Sequence, residues 1–298
     1  MKCQLLIISL FCVVTISSCK KEQVTQYAPI EQYPVDSILN SIDSKRAMII
    51  TAHDDDMALS SGTVSKLNKE GWEIVSVCFK SNKPDRNSVH IQAAKHVIDS
   101  VIFIEFTENE YRNDLDDGRK GWSPIPGSEF NKVFNYQKVE KSLLKIVNRF
   151  DPTVVFTLDH EYGGYGHPDH IFMSKLVLDL AKEKKIKSDY IYQSVMTPHM
   201  EKSIIEERHS RRMESWGYAA DGWKNTRELY EVDGMPDPTV QVYITSEAKN
   251  KMKYLRSYNE RERKTMGFFI PAFEEYEAEE YFKIFDREFF RIIKIENL

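Results

Sequence analysis

Between residues 47 and 195, short apolar runs alternate with amphipathic stretches, and this alternation constrains the fold more than any other property of the chain. The apolar runs fall at 47–52, 74–79, 101–106, 153–158 and 190–195, each long enough for one buried strand. Between them, 57–70, 88–99, 137–149 and 169–184 carry apolar residues at helical spacing. Strand, helix and strand in this order build βαβ units, whose parallel strands need helices on both faces. The expected class is α/β: a Rossmann-like, mostly parallel sheet flanked by helices, with a core over about 47–195 and C-terminal additions over 196–298.

The connections are uneven. Residues 107–136 form a long polar stretch, which in a compact domain points to a lid or one wall of a cleft. Its Asp-rich run at 113–118 lacks the glutamate that closes an EF-hand loop and reads as a solvated turn. Residues 199–235, with Trp216 and Trp223, read as an insertion over the sheet. A late strand at 240–245 and a helix at 248–261 follow. Phe282, Phe285 and Phe289 lie at helical spacing and read as core packing.

The N-terminus reads as a targeting leader. Lys2 precedes an apolar stretch at 5–16, too short to span a bilayer as a mature helix. It ends Ile16-Ser17-Ser18-Cys19, which resembles the bacterial lipobox and implies cleavage before Cys19 and lipid on its sulfur. The expected organisation is a lipoprotein signal peptide over 1–18, a tether over 19–42 and a domain over 43–298. Cys19 would then anchor the protein in a bacterial cell envelope, in the outer membrane or facing the periplasm. Cys3 and Cys12 leave with the leader and Cys78 sits in a buried run, so no disulfide is expected in the mature chain. The formal net charge is −5; Lys2 is the one charged residue of 1–18, and its loss leaves −6. Without a dense basic stripe, nucleic acid is not an expected partner.

Chemistry concentrates at two strand ends. The first apolar run leads straight into His53-Asp54-Asp55-Asp56, and ligands of open α/β sheets bind at the carboxyl ends of strands. His53 and Asp56 are three apart, so one helical turn aims both at one point, with Asp55 directed differently. Aspartates at a helix start also cap free N–H groups. Three in a row after a histidine exceed that need, because packed like charges repel unless a cation compensates.

The second run, 153–158, is followed by Asp159-His160-Glu161, a glycine-rich stretch, and Gly166-His167-Pro168-Asp169-His170. Pro168 suits the first position of a helix, and His167 and His170 share one side of its first turn. His160 and Glu161 are further candidates, as cleft wall or as support for the ligands. An imidazole and carboxylate set suits zinc, although another divalent metal is compatible.

At these residues the chain resembles the PIG-L/LmbE family of zinc-dependent de-N-acetylases, whose signature is Ala-His-Pro-Asp-Asp-Glu with a downstream Gly-His-Pro-Asp-His. Here the first half reads Ala52-His53-Asp54-Asp55-Asp56-Met57, with Asp54 for proline and Met57 for glutamate; the second half is complete. The resemblance implies that His53, Asp56 and His170 hold Zn2+, that Asp55 is the general base, and that His167 stabilises the oxyanion or acts as acid. Arg86 falls near a family arginine that touches substrate, while Val89 stands where the family usually has glutamate. Toward the C-terminus, Lys251 is followed by Tyr258-Asn259-Glu260-Arg261, without the family's histidine.

The implied reaction is metal-activated hydrolysis of an acetamide on an amino sugar or glycoconjugate such as N-acetylglucosamine. A protonated His167 would stabilise the oxyanion, and either Asp55 or His167 would protonate the leaving amine. Tyr162 and Tyr165 offer faces for a sugar ring, Tyr165 being the favoured substrate contact. Two other readings share these residues: a zinc amidohydrolase for a non-sugar N-acyl amine, and a glycan-binding lipoprotein without turnover.

Overall fold

A computed structural model of the chain describes residues 21–115 and 120–298. The leader and Cys19 lie outside the described residues. The strands are β1 (Arg46–Ile50), β2 (Glu73–Phe79), β3 (Ser100–Ile104), β4 (Val154–Leu158), β5 (Tyr190–Val195), β6 (Val240–Tyr243) and β7 (Arg287–Lys294). They form one seven-stranded sheet in the order β3-β2-β1-β4-β5-β7-β6. Strands β1 to β5 pair parallel, and β7 runs antiparallel between β5 and β6. The α/β class with a mostly parallel sheet is therefore present, and the C-terminal additions extend that same sheet.

The period-two pattern of β1 divides the core. Ala47 and Ile49 join Val64 and Leu67 of α1 (Ser61–Lys69) and Ala93 and Ala94 of α2 (Pro84–Ala94) on one face. Met48 and Ile50 join Leu143 of α3 (Tyr136–Phe150) and Phe172 of α4 (Pro168–Lys182) on the other. Burying apolar area on both faces supplies most of the stabilisation in such a domain.

Strand order reverses at β1. The sheet grows one way through β2 and β3 and the other way through β4 and β5, so the ends of β1 and β4 open a crevice between diverging crossovers. The two polar turns seen in the sequence follow β1 and β4.

Several element readings change. The helix expected at 57–70 is a 3-10 turn, Asp56–Leu59, followed by α1. The helix expected at 88–99 starts at Pro84, which supplies a ready first position. The stretch 248–261 divides into α5 (Ala248–Arg256) and a separate helix, Glu260–Met266. Phe282 lies on α6 (Ala278–Ile284), but Phe289 belongs to β7; the three phenylalanines are all buried.

The described part of the expected tether is built into the fold. Val24, Tyr27, Leu39 and Ile42 are buried in the core, Asp36 accepts the Tyr192 hydroxyl at 2.8 Å, and Val35 bridges to Gln241. Prolines at 29 and 34 mark an extended path across the surface of the domain, not freedom from it. Cys78 is a buried free thiol in β2. Among the described residues, no helix is long and apolar enough to cross a membrane.

Candidate metal centre

The turn after β1 is closed by its own side chains. Thr51 Oγ1 donates to the His53 carbonyl at 2.9 Å, and the His53 N–H donates to Asp56 Oδ2 at 2.8 Å. Asp56 is thus fixed from the backbone, with Oδ1 turned outward to His170 Nε2 at 3.0 Å. Behind the turn, the Asp54 carbonyl accepts the hydroxyls of Tyr254 at 3.2 Å and Tyr258 at 3.0 Å. His90 Nδ1 lies 2.7 Å from the same Tyr258 hydroxyl.

The loop after β4 is organised by Asp159, a fully buried carboxylate. Its oxygens accept the N–H groups of Glu161, Tyr162, Gly163 and Gly164 at 2.6–3.1 Å. That cluster turns the chain back, and Gly166, at φ 86°, delivers it to His167 at the cap of α4. The Gly163 carbonyl then faces His170 Nδ1 at 2.9 Å.

These two turns bring His53, Asp56 and His170 together. His53 Nδ1 and His170 Nε2 are 3.0 Å apart, and His53 Nδ1 and Asp56 Oδ2 are 3.6 Å apart. Tetrahedral zinc with bonds of about 2.0–2.2 Å spaces its donors about 3.4 Å apart, which these separations bracket. Tautomer accounting agrees. His170 donates its outer N–H to the Gly163 carbonyl, and His53 directs its outer Nε2 to Asp169 Oδ2 at 3.5 Å. The inner nitrogens then face one another across 3.0 Å, a contact bridged by a proton on His53 Nδ1 or by a metal cation that takes both lone pairs. The residues present fit a divalent metal.

Charge points the same way. Burial alone would lower the His53 pKa, but Asp169, Asp56 and Asp55 outweigh it and raise it to about 9. Burial likewise opposes ionisation of Asp56, yet His170 and His53 hold its carboxyl below the usual carboxylate range. The pocket draws in positive charge.

The other expected residues surround this triad. Donor atoms of Asp55 and of His167 each lie within 4.8 Å of triad atoms. His167 stacks on His170, with centroids 4.4 Å apart. Its Nδ1 accepts the Asp169 backbone N–H at 3.2 Å, so a neutral ring carries its proton on Nε2. Burial, His170 and His53 together push its pKa well down, so the protonated form expected from the sequence gives way to a neutral donor. Tyr165 is half-buried, edge-on to His170 with centroids 5.3 Å apart and stacked on Phe269 at 4.3 Å.

Arg86 reaches the site, but its guanidinium is bonded to Asp54 at 2.7 Å and Asp55 at 3.0 Å instead of standing free for substrate. His160 and Glu161 turn away to Arg291 of β7, at 3.0 Å and 2.5 Å. Tyr162 is fully buried and offers no face to a ligand.

The sequence reading did not anticipate Tyr111 and Arg112. Asp169 accepts the Tyr111 hydroxyl at 2.6 Å and Arg112 Nη1 at 2.5 Å. Arg112 also grips Asp114 at 2.9 Å and the Gly121 carbonyl at 2.6 Å, pinning the long polar connection against the site as a wall. An arginine set among Glu108, Glu110 and Asp114 was the available signal.

Residues 48–181 match the family described as PIG-L: GlcNAc-PI de-N-acetylase. The chain carries a PIG-L family domain. The PIG-L match takes in both turns and the sheet through β4. Over 152 residues the chain is 26% identical to a mycothiol S-conjugate amidase of Streptomyces coelicolor, covering 46% of this chain and 51% of that protein. It is also 26% identical over 167 residues to a 1D-myo-inositol 2-acetamido-2-deoxy-alpha-D-glucopyranoside deacetylase of Segniliparus rotundus, covering 48% and 52%. The chain spans about half the length of these curated relatives.

Two solved structures share the fold. The N,N'-diacetylchitobiose deacetylase from Pyrococcus horikoshii aligns with TM-score 0.50 at 17% identity, over 85% of each chain. A deacetylase of teicoplanin biosynthesis aligns with TM-score 0.52 at 14% identity, over 84% of this chain and 98% of that one. The PIG-L domain thus has the LmbE-like α/β architecture.

Proposed function

We propose that the protein is a metal-dependent amide hydrolase that removes acetyl from an N-acetylated amino sugar or glycoconjugate. The observation that carries this reading is the convergence of His53 Nδ1, Asp56 Oδ1 and His170 Nε2, with Asp55 and His167 beside them. A divalent cation held there, zinc by its donor set, would polarise the acetyl carbonyl and acidify water, lowering its pKa to about 7 in favourable sites.

The chain's own groups supply the rest. Asp55 takes the proton of the attacking water as the new C–O bond forms at the acetyl carbon. His167 directs its Nε2–H at the developing oxyanion. Asp55 then returns its proton to the departing nitrogen as the C–N bond breaks, giving acetate and an amine. The neutral state of His167 favours Asp55 for this last transfer, because a neutral imidazole is a poor acid.

Acetate release from a panel of N-acetyl sugars, measured beside metal content, tests the proposal. Turnover that tracks metal occupancy supports it; full activity in metal-free protein refutes it. The same panel extended to acylated amines without a sugar separates the two amide classes. We further propose a lipid anchor on Cys19 in the cell envelope, on the strength of Ile16-Ser17-Ser18-Cys19 alone. Mass spectrometry of the mature N-terminus checks it, and an unmodified Cys19 refutes it.

A further inference from the structure

Among the described residues, the two arginines that border the site, Arg86 and Arg112, are already engaged. Arg86 sends Nε to Asp54 Oδ1 at 2.7 Å and Nη2 to Asp55 Oδ1 at 3.0 Å, with Glu262 Oε1 4.0 Å from its Nε. Arg112 is held by Asp169 at 2.5 Å and by Asp114 at 2.9 Å. Asp54 occupies the position of the motif proline and is buried. Among the described residues its Oδ2 has no hydrogen-bond partner, and its carboxylate is held by Arg86 through Oδ1. Glu262 is also buried and pairs in addition with the exposed Arg261.

Among the described residues around the triad, the carboxylates of Asp54, Asp55, Asp56, Asp114, Asp169, Glu108 and Glu262 outnumber the guanidiniums of Arg86, Arg112 and Arg261. Glu108 belongs with them, because its Oε1 lies 3.9 Å from the Arg112 Nη1 that holds Asp169. A bound divalent cation reduces this excess without reversing it.

We propose that the site, given the amide-hydrolase reading above, takes N-acetyl glycosides with no negative charge beside the scissile amide, and that Asp54 and Glu262 set this preference by neutralising Arg86. An unpaired arginine at such a mouth would receive a phosphate or carboxylate on its two-pronged fork. Here the fork is filled from within the protein. A neutral hydroxyl can still accept a hydrogen bond from the guanidinium, whereas an anion meets an excess of carboxylates. Tyr165, flat against Phe269 and beside His170, offers an apolar face that suits an uncharged sugar ring.

The test offers zinc-loaded protein methyl N-acetyl-β-glucosaminide and N-acetylglucosamine 1-phosphate at low salt, and measures acetate. The expected kcat/KM is about tenfold or more higher for the neutral glycoside, and the gap narrows as salt rises. Asp54→Asn combined with Glu262→Gln leaves Arg86 with Asp55 as its remaining carboxylate partner and shrinks the ratio to about threefold, mainly through a lower KM for the phosphate. Glu262→Gln alone, which leaves the metal-binding turn untouched, shifts the ratio the same way by less. Because the readout is a ratio, a general loss of rate in a variant cancels. Equal or better hydrolysis of the phosphate by the unaltered protein, or a ratio neither variant moves, overturns the proposal. If neither compound yields acetate, the amide-hydrolase reading itself fails. Calorimetric binding of methyl β-glucosaminide and glucosamine 1-phosphate to the same protein then decides the charge preference, and tighter binding of the phosphate overturns it.

Discussion

Asp169 Oδ2 stands 3.5 Å from the Nε2 of His53, on the side of the ring away from Asp56 and His170. Asp169 lies between His167 and His170 in the chain, yet its carboxylate faces the histidine of the other turn. Carboxylate support of this kind fixes the ring and its tautomer. Asp169→Asn should weaken metal binding about 10–100-fold, read by competition with a chelator, and unchanged affinity would refute the support role.

Ligands and base separate by metal content. His170→Ala should lose both metal and turnover. Asp55→Asn should keep metal and lose about 10²–10⁴-fold in rate, the usual worth of a positioned general base. Metal analysis beside acetate release distinguishes the two, and metal loss in Asp55→Asn would make Asp55 a ligand.

The metal-free protein should lose stability as pH rises. His53 is raised from 6.5 to about 9 in the fold, so its contribution is full below the unfolded pKa of 6.5 and disappears as pH climbs through 9. Melting temperatures of metal-free protein between pH 6.5 and 9 should therefore fall. Zinc should flatten the profile, because a ligating imidazole binds no proton there. A flat profile without metal contradicts the charge argument.

His90 acts in the opposite direction. Burial, then Arg86, lowers its pKa from 6.5 to about 3, so the neutral ring stabilises the fold above 6.5 and that stability drains away as pH falls toward 3. His90→Phe should lose less melting temperature between pH 6.5 and 4 than the unaltered protein does. An equally steep acid loss in the variant would point to other groups.

Gly166 has φ 86°, and a Cβ there would run into the Thr226 side chain. Gly166→Ala combines a backbone penalty with overpacking, which costs about 1–3 kcal/mol. It should also misplace His167, so that rate falls further than stability. Thermal melting beside acetate release checks this, and a rate loss no larger than the loss of folded fraction rules out misplacement.

How much of this was legible follows from what spacing encodes. The turns after β1 and β4 could be found because strand, turn and helix succeed one another locally, and His53 with Asp56 or His167 with His170 sit one helical turn apart. Their meeting was an expectation carried by family resemblance, and strand order supplies its physical basis. Contacts between distant segments left no spacing to read. Nothing near Asp159 announces its buried backbone cluster, and nothing near Tyr254 and Tyr258 announces their hold on the Asp54 carbonyl. Phe289 misled because three phenylalanines at helical spacing crossed from α6 into β7. The tether misled because Val24 and Tyr27 are too few to show a period yet enough to be buried.

The position of β7 fixes an order of assembly. It follows both β5 and β6 in the chain, yet it lies between them in the sheet. A growing chain can already hold both histidine-bearing turns while the flank of β5 is bare. A stop codon ahead of residue 287 would therefore leave both histidine-bearing turns encoded beside an open strand edge, the state most prone to stick to its own copies. The two histidine-bearing turns are encoded well before the seam that closes the sheet beside them.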